Sequence, residues 1–328
     1  MQNYSTLYSK IFDVESHNFE QIALDVFEYQ YLHNPIYKQF VNYLNKKDSV
    51  RDIYTIPYMP VEFFKYHSVL SKEFQANDFF ESSGTTGSEH SRHFFEDLQF
   101  YEKSYLLGFK KQYGQPSDWI ILGLLPSYLE REHASLVNMV QGLMKKSAHP
   151  ENDFFLYNYD KLFKLLTQLS SSHQKVMLFG VTFALLEFAQ LYSHQFPNLT
   201  IIETGGMKGR GKELIREELH SFLHQKLQPK AIHSEYGMTE MFSQAYSTDQ
   251  GIFHCSPTLR ALKRNPYDPF DVQSTAGRGN INIIDLSNLH SCSFLATMDI
   301  GEFYEDGTFK VLGRTDYSDV RGCNLMFS

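Results

Sequence analysis

From residue 119 onward the chain alternates short, uninterrupted apolar runs with longer stretches of helical period, and few folds accommodate that order. Residues 119–125, 153–156, 175–179 and 199–203 read as strands buried on both faces, because they lack the polar alternation of a half-exposed strand. Residues 134–146, 160–170, 182–192 and 212–226 read as amphipathic helices, with apolar side chains three and four positions apart. Strand and helix in alternation predict βαβ units around a largely parallel sheet, an α/β fold.

The pattern differs on either side of this block. Phe19, Ile22, Ala23, Val26 and Phe27 stand at helical spacing, and residues 36–44 predict a second helix. After Lys230, short strands at 231–235, 280–285, 294–297 and 308–312 are separated by Gly, Pro, Asn and Asp, which predicts a smaller β-rich C-terminal subdomain, antiparallel or barrel-like. The expected organisation is a helical N-terminal region over 1–80, an α/β region over 81–230 and a β-rich subdomain over 231–328. A chain of 328 residues with 42% hydrophobic content can bury a core of that size.

Charge and cysteine usage narrow the functional classes. The net charge of −8, from 30 basic and 38 acidic side chains, lacks the basic excess of a nucleic-acid binder. Cys255, Cys292 and Cys323 are few and widely spaced, so a disulfide framework is not expected and a reducing, cytoplasmic compartment is. The longest apolar run, near residues 119–126, is too short for a transmembrane segment.

Three segments carry chemistry. In the first, Ser82, Ser83, Gly84, Thr85, Thr86 and Gly87 combine glycines, which let backbone amides turn inward, with hydroxyls suited to phosphate oxygens. No Gly-Lys-Ser/Thr follows, so this is not a Walker loop, and by composition it equally suits a surface turn. The second, Tyr236-Gly237-Met238-Thr239-Glu240, follows a predicted strand, where α/β sheets bind ligands. Thr239 offers a hydroxyl to phosphate, Glu240 a hard oxygen to Mg²⁺, and Tyr236 a ring for a nucleobase. In the third, Asp299 at a strand end could accept ribose hydroxyls, with Arg314 adding donors to sugar or phosphate.

In order and spacing these segments resemble the adenylate-forming superfamily of acyl-CoA synthetases, firefly-type luciferases and adenylation domains. The loop at Ser82–Gly87 is similar to its phosphate loop, Tyr236–Glu240 to its Tyr-Gly-x-Thr-Glu motif, Asp299 to its ribose-binding Asp, and Gly313-Arg314-Thr315-Asp316 to its hinge motif. Three more stretches look like the acyl-protein synthetase (LuxE-type) family: Leu125 to Arg131, Glu203 to Arg210, and Arg321-Gly322-Cys323. The resemblance runs from about Pro57 to the end of the sequence.

That resemblance implies the adenylate-forming N-terminal-type domain, with the nucleotide and acyl group bound in region 81–230, ATP and Mg²⁺ as cofactors, and a carboxylic, expectedly fatty, acid as substrate. Acid and ATP would give an acyl-adenylate, and a thiol would then displace AMP. Thr85 and Thr86 would hold phosphates, Thr239 the α-phosphate and Glu240 the metal. Gly205, Gly206 and Tyr236 would line the adenine, and Asp299 and Arg314 the ribose. The acyl acceptor would be Cys323, an acyl-carrier protein or CoA, with an acyl reductase as a further partner.

Two departures from the superfamily pattern matter. The lysine that follows the phosphate loop is replaced by Ser88-Glu89-His90-Ser91-Arg92, leaving Arg92 as the nearest cation, and no C-terminal lysine domain follows before Ser328. His133, ahead of a predicted helix, is a candidate for the acyl pocket or for assisting the carboxylate. The missing lysines also motivate an alternative: a catalytically decayed protein that binds nucleotide or acyl-adenylate and serves as scaffold for a reductase or acyltransferase.

Overall fold

The computed structural model describes residues 4–82, 90–126, 133–205 and 215–315. In chain order, β1 (Met59–Pro60) follows the N-terminal helices, and β2 (Asp78–Glu81) and β3 (Arg92–Phe95) form a separate antiparallel hairpin. Then come β4 (Trp119–Leu124), β5 (Asp153–Phe154), β6 (Lys175–Val181), β7 (Leu199–Thr204) and β8 (Ala231–Tyr236). These five lie side by side in the order β8-β7-β6-β4-β5, all parallel. Every residue of β4 and β7 is buried, which is why β4 reads as a continuous apolar run and β7 carries an apolar centre at Ile201 and Ile202.

The intervening helices are Ser135–Ser147, Tyr159–Leu169, Thr182–Leu191 and Arg216–Leu227, each within a residue or two of expectation except the last, which starts four residues late. Starts are set by caps where the sequence supplies them. The Asn158 side chain accepts from Lys161 N, and Asn34 from Tyr37 N ahead of Pro35–Tyr43. The strand expected over 153–156 stops at Phe154, and Leu156 takes φ +49°, where a strand cannot continue.

The C-terminal part is antiparallel, and β8 joins it to the parallel strands within one sheet. It pairs parallel with β7 and antiparallel with β9 (Ala245–Ser247), and the sheet continues through β10 (Phe253–Cys255) to β15 (Phe309–Arg314). Next to β15 lie β14 (Phe294–Phe303), β13 (Gly277–Asp285), β11 (Leu259–Arg264) and β12 (Val272–Gln273). With β1 on β14, thirteen strands among the described residues form this sheet. The N-terminal helices are tied to the turn after β13: Gln30 Nε2 donates to the carbonyls of Asn288 (2.9 Å) and Leu289 (3.1 Å), and Asn34 Nδ2 to that of Ser291 (2.7 Å).

Two carboxyls stand on neighbouring strands, and their pairings separate their charge states. Glu203 on β7 accepts from the Ser234 hydroxyl at 2.6 Å, with His220 Nε2 at 3.4 Å and Arg216 Nε at 3.6 Å. Burial opposes its charge, but His220, Arg216 and Ser234 together hold it below the ordinary glutamate value. Glu235 on β8 has the Thr204 hydroxyl as donor. Burial pushes it up to about 7, against that hydroxyl and with the Glu203 charge adding to the rise. Between the ordinary value of 4.5 and about 7, the folded protein holds a proton on Glu235 that the unfolded chain has released. Stability therefore falls as pH rises through that window, and levels above it. We expect Glu235→Gln to flatten this decline. Melting temperatures at pH 5 and pH 8 check it, and an undiminished slope in the variant would assign the proton elsewhere.

Candidate active site

Ser82 closes the neck of the glycine- and hydroxyl-rich loop. Its amide donates to Ser91 O at 3.0 Å, its hydroxyl accepts from Ser91 N at 2.9 Å, and a ring nitrogen of His90 lies 2.7 Å from its carbonyl. The hairpin continues this closure downward, with Glu81 opposite Arg92. Ser83, Gly84, Thr85, Thr86 and Gly87 themselves lie outside the described residues, as do Gly206 and Cys323.

The hairpin holds the second motif. His93 on β3 is fully buried, with Nδ1 3.0 Å from Thr239 O and Nε2 2.7 Å from Ser291 Oγ. A carbonyl only accepts, so Nδ1 carries the proton and Nε2 accepts from the Ser291 hydroxyl. Burial draws the imidazole down to about 4, so the ring stays neutral, and it stacks on Phe242 with centroids 4.4 Å apart. Two residues before it, Ser91 hydrogen-bonds the Glu240 side chain. Glu240 is 8% exposed; burial raises its carboxyl, while Ser91, Arg314 and Lys65 favour the anion.

Three residues far apart in sequence meet where Tyr236 and Arg314 end β8 and β15 and Asp299 lies midway along β14. The Tyr236 hydroxyl donates to Asp299 Oδ2 at 2.7 Å, and Arg314 Nε lies 3.3 Å from Asp299 Oδ1. Asp299 and Arg314 are cross-strand neighbours, so the sheet register itself brings them together. Burial raises the Asp299 carboxyl, and Tyr236 and Arg314 work the other way. The Tyr236 ring meets Phe253 and Phe309 edge-on, at 5.9 and 5.7 Å.

The glycines have geometric reasons. Gly205 ends β7 at φ +70°, and its carbonyl accepts from Thr182 Oγ1 at 2.7 Å. At Gly237 a Cβ would stand 2.5 Å from Glu235 Oε1, so a larger residue there would have to displace that carboxyl.

Two expected residues are engaged elsewhere. Arg92 Nε donates to Glu81 Oε1 at 2.9 Å, and its guanidinium lies 5.2 Å from the Phe79 ring centre, so part of its charge is already matched within the hairpin. His133 pairs with Asp78 at 3.2 Å and stacks on Phe79 at 4.2 Å, so its contacts are with the hairpin and not with Thr239, Glu240 or Asp299. The described cysteines are poor nucleophiles, since burial pushes the thiols of Cys255 and Cys292 up to about 11 and 12. A cavity of about 300 Å³ lies apart from all of these residues, lined by Phe40, Tyr54, Tyr58, Arg264, Phe270 and Ala296 among others. Sequence reasoning missed Ser91, His93, Asp285 and Asn288, which surround the Thr239–Glu240 segment. Only the apolar run ending at Asp285 hinted at one of them.

No protein-family model matches the sequence, and no curated protein matches it. Solved structures do. ATP-bound MatB from Rhodopseudomonas palustris is similar at 17% identity with a TM-score of 0.55, over 74% of this chain and 50% of MatB. The O-succinylbenzoate coenzyme A synthetase MenE of Bacillus subtilis, with ATP and magnesium, gives 15% and 0.51 over 74% and 51%. A 2-hydroxyisobutyryl-CoA ligase in complex with 2-HIB-AMP gives 13% and 0.65 over 90% and 68%. The chain thus spans about half the length of MatB and MenE. The likeness is one of fold, and it gives this chain the architecture of the N-terminal-type domain of the adenylate-forming enzymes.

Proposed function

We propose that this chain activates a carboxylic acid with ATP, forming an acyl-adenylate and pyrophosphate, and passes the acyl group to a thiol. The observation that carries the reading is the meeting of Tyr236, Asp299 and Arg314, while Glu240 is held by the hairpin that bears the loop. The structures of similar fold hold ATP, ATP with magnesium, or an acyl-AMP.

In this reading a carboxylate oxygen attacks the α-phosphorus, and the bond to the β-phosphate breaks to release pyrophosphate. A thiolate then attacks the acyl carbon and AMP leaves. Asp299 accepts the ribose hydroxyls, Arg314 and Thr239 donate to sugar and phosphate oxygens, and the 82–87 loop surrounds the outer phosphates. Gly205 and Gly206 border the adenine. Tyr236, its hydroxyl already on Asp299, holds that carboxylate in place as well as presenting a ring face.

Glu240 fits a magnesium ligand. It is a buried hard oxygen donor whose ionisation burial opposes, so a divalent cation relieves it. Among the described residues no three His, Cys, Asp or Glu side chains gather, which suits an ion held by one carboxylate, phosphate oxygens and water. When bound, Mg²⁺ offsets the charge that builds on the phosphates.

The acid we propose is of fatty type, on the likeness to acyl-protein synthetases, and the acceptor is Cys323, a carrier protein or CoA, with an acyl reductase as partner. Phe183, Leu186 and Phe188 are packed in the core. The second reading, a nucleotide-binding scaffold without turnover, is favoured by one observation: Arg92 is already paired with Glu81.

Exchange of labelled pyrophosphate into ATP across a panel of acids separates the two. Activity with at least one acid is expected, and an ATP-binding sample that exchanges with none leaves the scaffold reading. Glu240→Gln should lower kcat/KM for exchange about a hundredfold, the scale on which one preorganised charge-stabilising group acts. Asp299→Ala should weaken ATP binding about tenfold, measured by calorimetry, through loss of hydrogen bonds to a charged acceptor. Cys323→Ser should abolish hydroxylamine-sensitive acyl labelling, and labelling that survives moves the acceptor off this thiol.

A further inference from the structure

The segment that carries Thr239 and Glu240 has neither helix nor strand between residues 237 and 244. Its shape cannot come from a backbone ladder, so its polar groups must find other partners. Those partners are few and fixed. His93 takes Thr239 O, and Asn288 Nδ2 donates to Glu240 O at 2.7 Å. Phe242 N donates to Asp285 Oδ2 at 2.8 Å and to Asn288 Oδ1 at 3.1 Å. Ser243 N donates to the same Asp285 oxygen at 2.8 Å, and its hydroxyl to Oδ1 at 2.5 Å. Ser287 N completes the set at 3.0 Å.

Asp285 is fully buried, and no cation is among the groups that set its ionisation. Burial pushes its carboxyl up to about 6 while these donors favour the anion. At neutral pH its charge therefore rests on neutral donors, two of them amides of the motif segment. A buried carboxylate held this way tolerates little displacement, because each lost donor leaves part of the charge unmatched. Phe242 and Ser243 are thereby pinned, and Glu240 lies two residues upstream in a turn closed by Met241 N to Met238 O at 3.1 Å.

We propose that Asp285 is a positioning residue: by holding the amides of Phe242 and Ser243 it fixes the turn that presents the Glu240 carboxyl beside Ser91. This rests on the reading of Glu240 as the magnesium-binding carboxylate. Asp285 touches neither substrate nor metal; it acts through the backbone.

The test is Asp285→Asn in the full chain, which keeps the shape and removes the charge. Amide exchange at Phe242 and Ser243 should quicken about tenfold while β6 and β7 keep their protection. Calorimetry with ATP should give an affinity in EDTA within about twofold of the parent, with the gain in affinity on adding Mg²⁺ cut about tenfold. An unchanged exchange rate at Phe242 and Ser243 overturns the proposal. So does faster exchange with an intact magnesium gain, which would leave Asp285 a role in stability alone. If Asp285→Asn does not fold, Ser243→Ala removes one donor and should show both effects at about threefold, with the same two overturning outcomes. A parent protein that binds ATP no tighter with Mg²⁺ refutes the assignment of Glu240 instead, and amide exchange still decides whether Asp285 holds the turn.

Discussion

A buried carboxylate held by neutral hydrogen-bond donors organises this molecule. Asp285 ends β13 inside the core, and the donors around it come from two turns that lie more than forty positions apart in sequence. The turn it begins is a junction. Gln30 and Asn34 reach it from the N-terminal helices, His93 reaches it through Ser291 from the hairpin, and Asn288 passes from it to Glu240. Buried polar groups must be paired, and here the pairs join three parts of the chain that share no backbone ladder with one another. The site is thus assembled by satisfaction of polar groups at the edge of the sheet, and the apolar core supplies the frame.

The frame is the part that the sequence displays. A parallel strand is covered on both faces, so β4, β6 and β7 are buried almost throughout and mostly apolar. The helices between them are legible for the complementary reason, that one face is buried and the other wet. The hairpin is a different matter. Its strands have four residues each, and their neighbour is a loop whose composition suggests only a turn. β9, β10 and β12 have two or three residues, too few for any period to register. Their existence depends on partners, as in Phe253, which pairs with Ser247 on one side and Phe309 on the other.

The site divides along the same line. Tyr236 and Arg314 stand at strand ends, whereas Asp299, expected at one, lies midway along β14, and the register of β14 on β15 sets it opposite Arg314. What sequence could not convey is engagement. Arg92 is the nearest cation after the loop, yet it lies across the hairpin from Glu81, a pairing fixed by a register that only the folded chain reveals. His133 is likewise taken by Asp78 and Phe79. His93, by contrast, is an unremarkable letter in an aromatic stretch. It gains its place because its two nitrogens lie between a carbonyl of the motif and a hydroxyl of the β13 turn.

Electrostatics then constrain what the site can hold. Burial raises both Glu240 and Asp299, while Arg314 favours the anion of each and Lys65 that of Glu240 as well. That guanidinium is already beside Asp299 and is 65% exposed, so water screens much of its charge. Two buried carboxyls served by two exposed cations remain raised by burial, which leaves them short of positive charge. A bare polyphosphate would deepen that deficit, whereas a nucleotide that arrives with a divalent ion fills it at Glu240 and leaves Arg314 to the sugar side. The proposed requirement for magnesium therefore draws on the charge distribution of this chain as well as on the company its fold keeps.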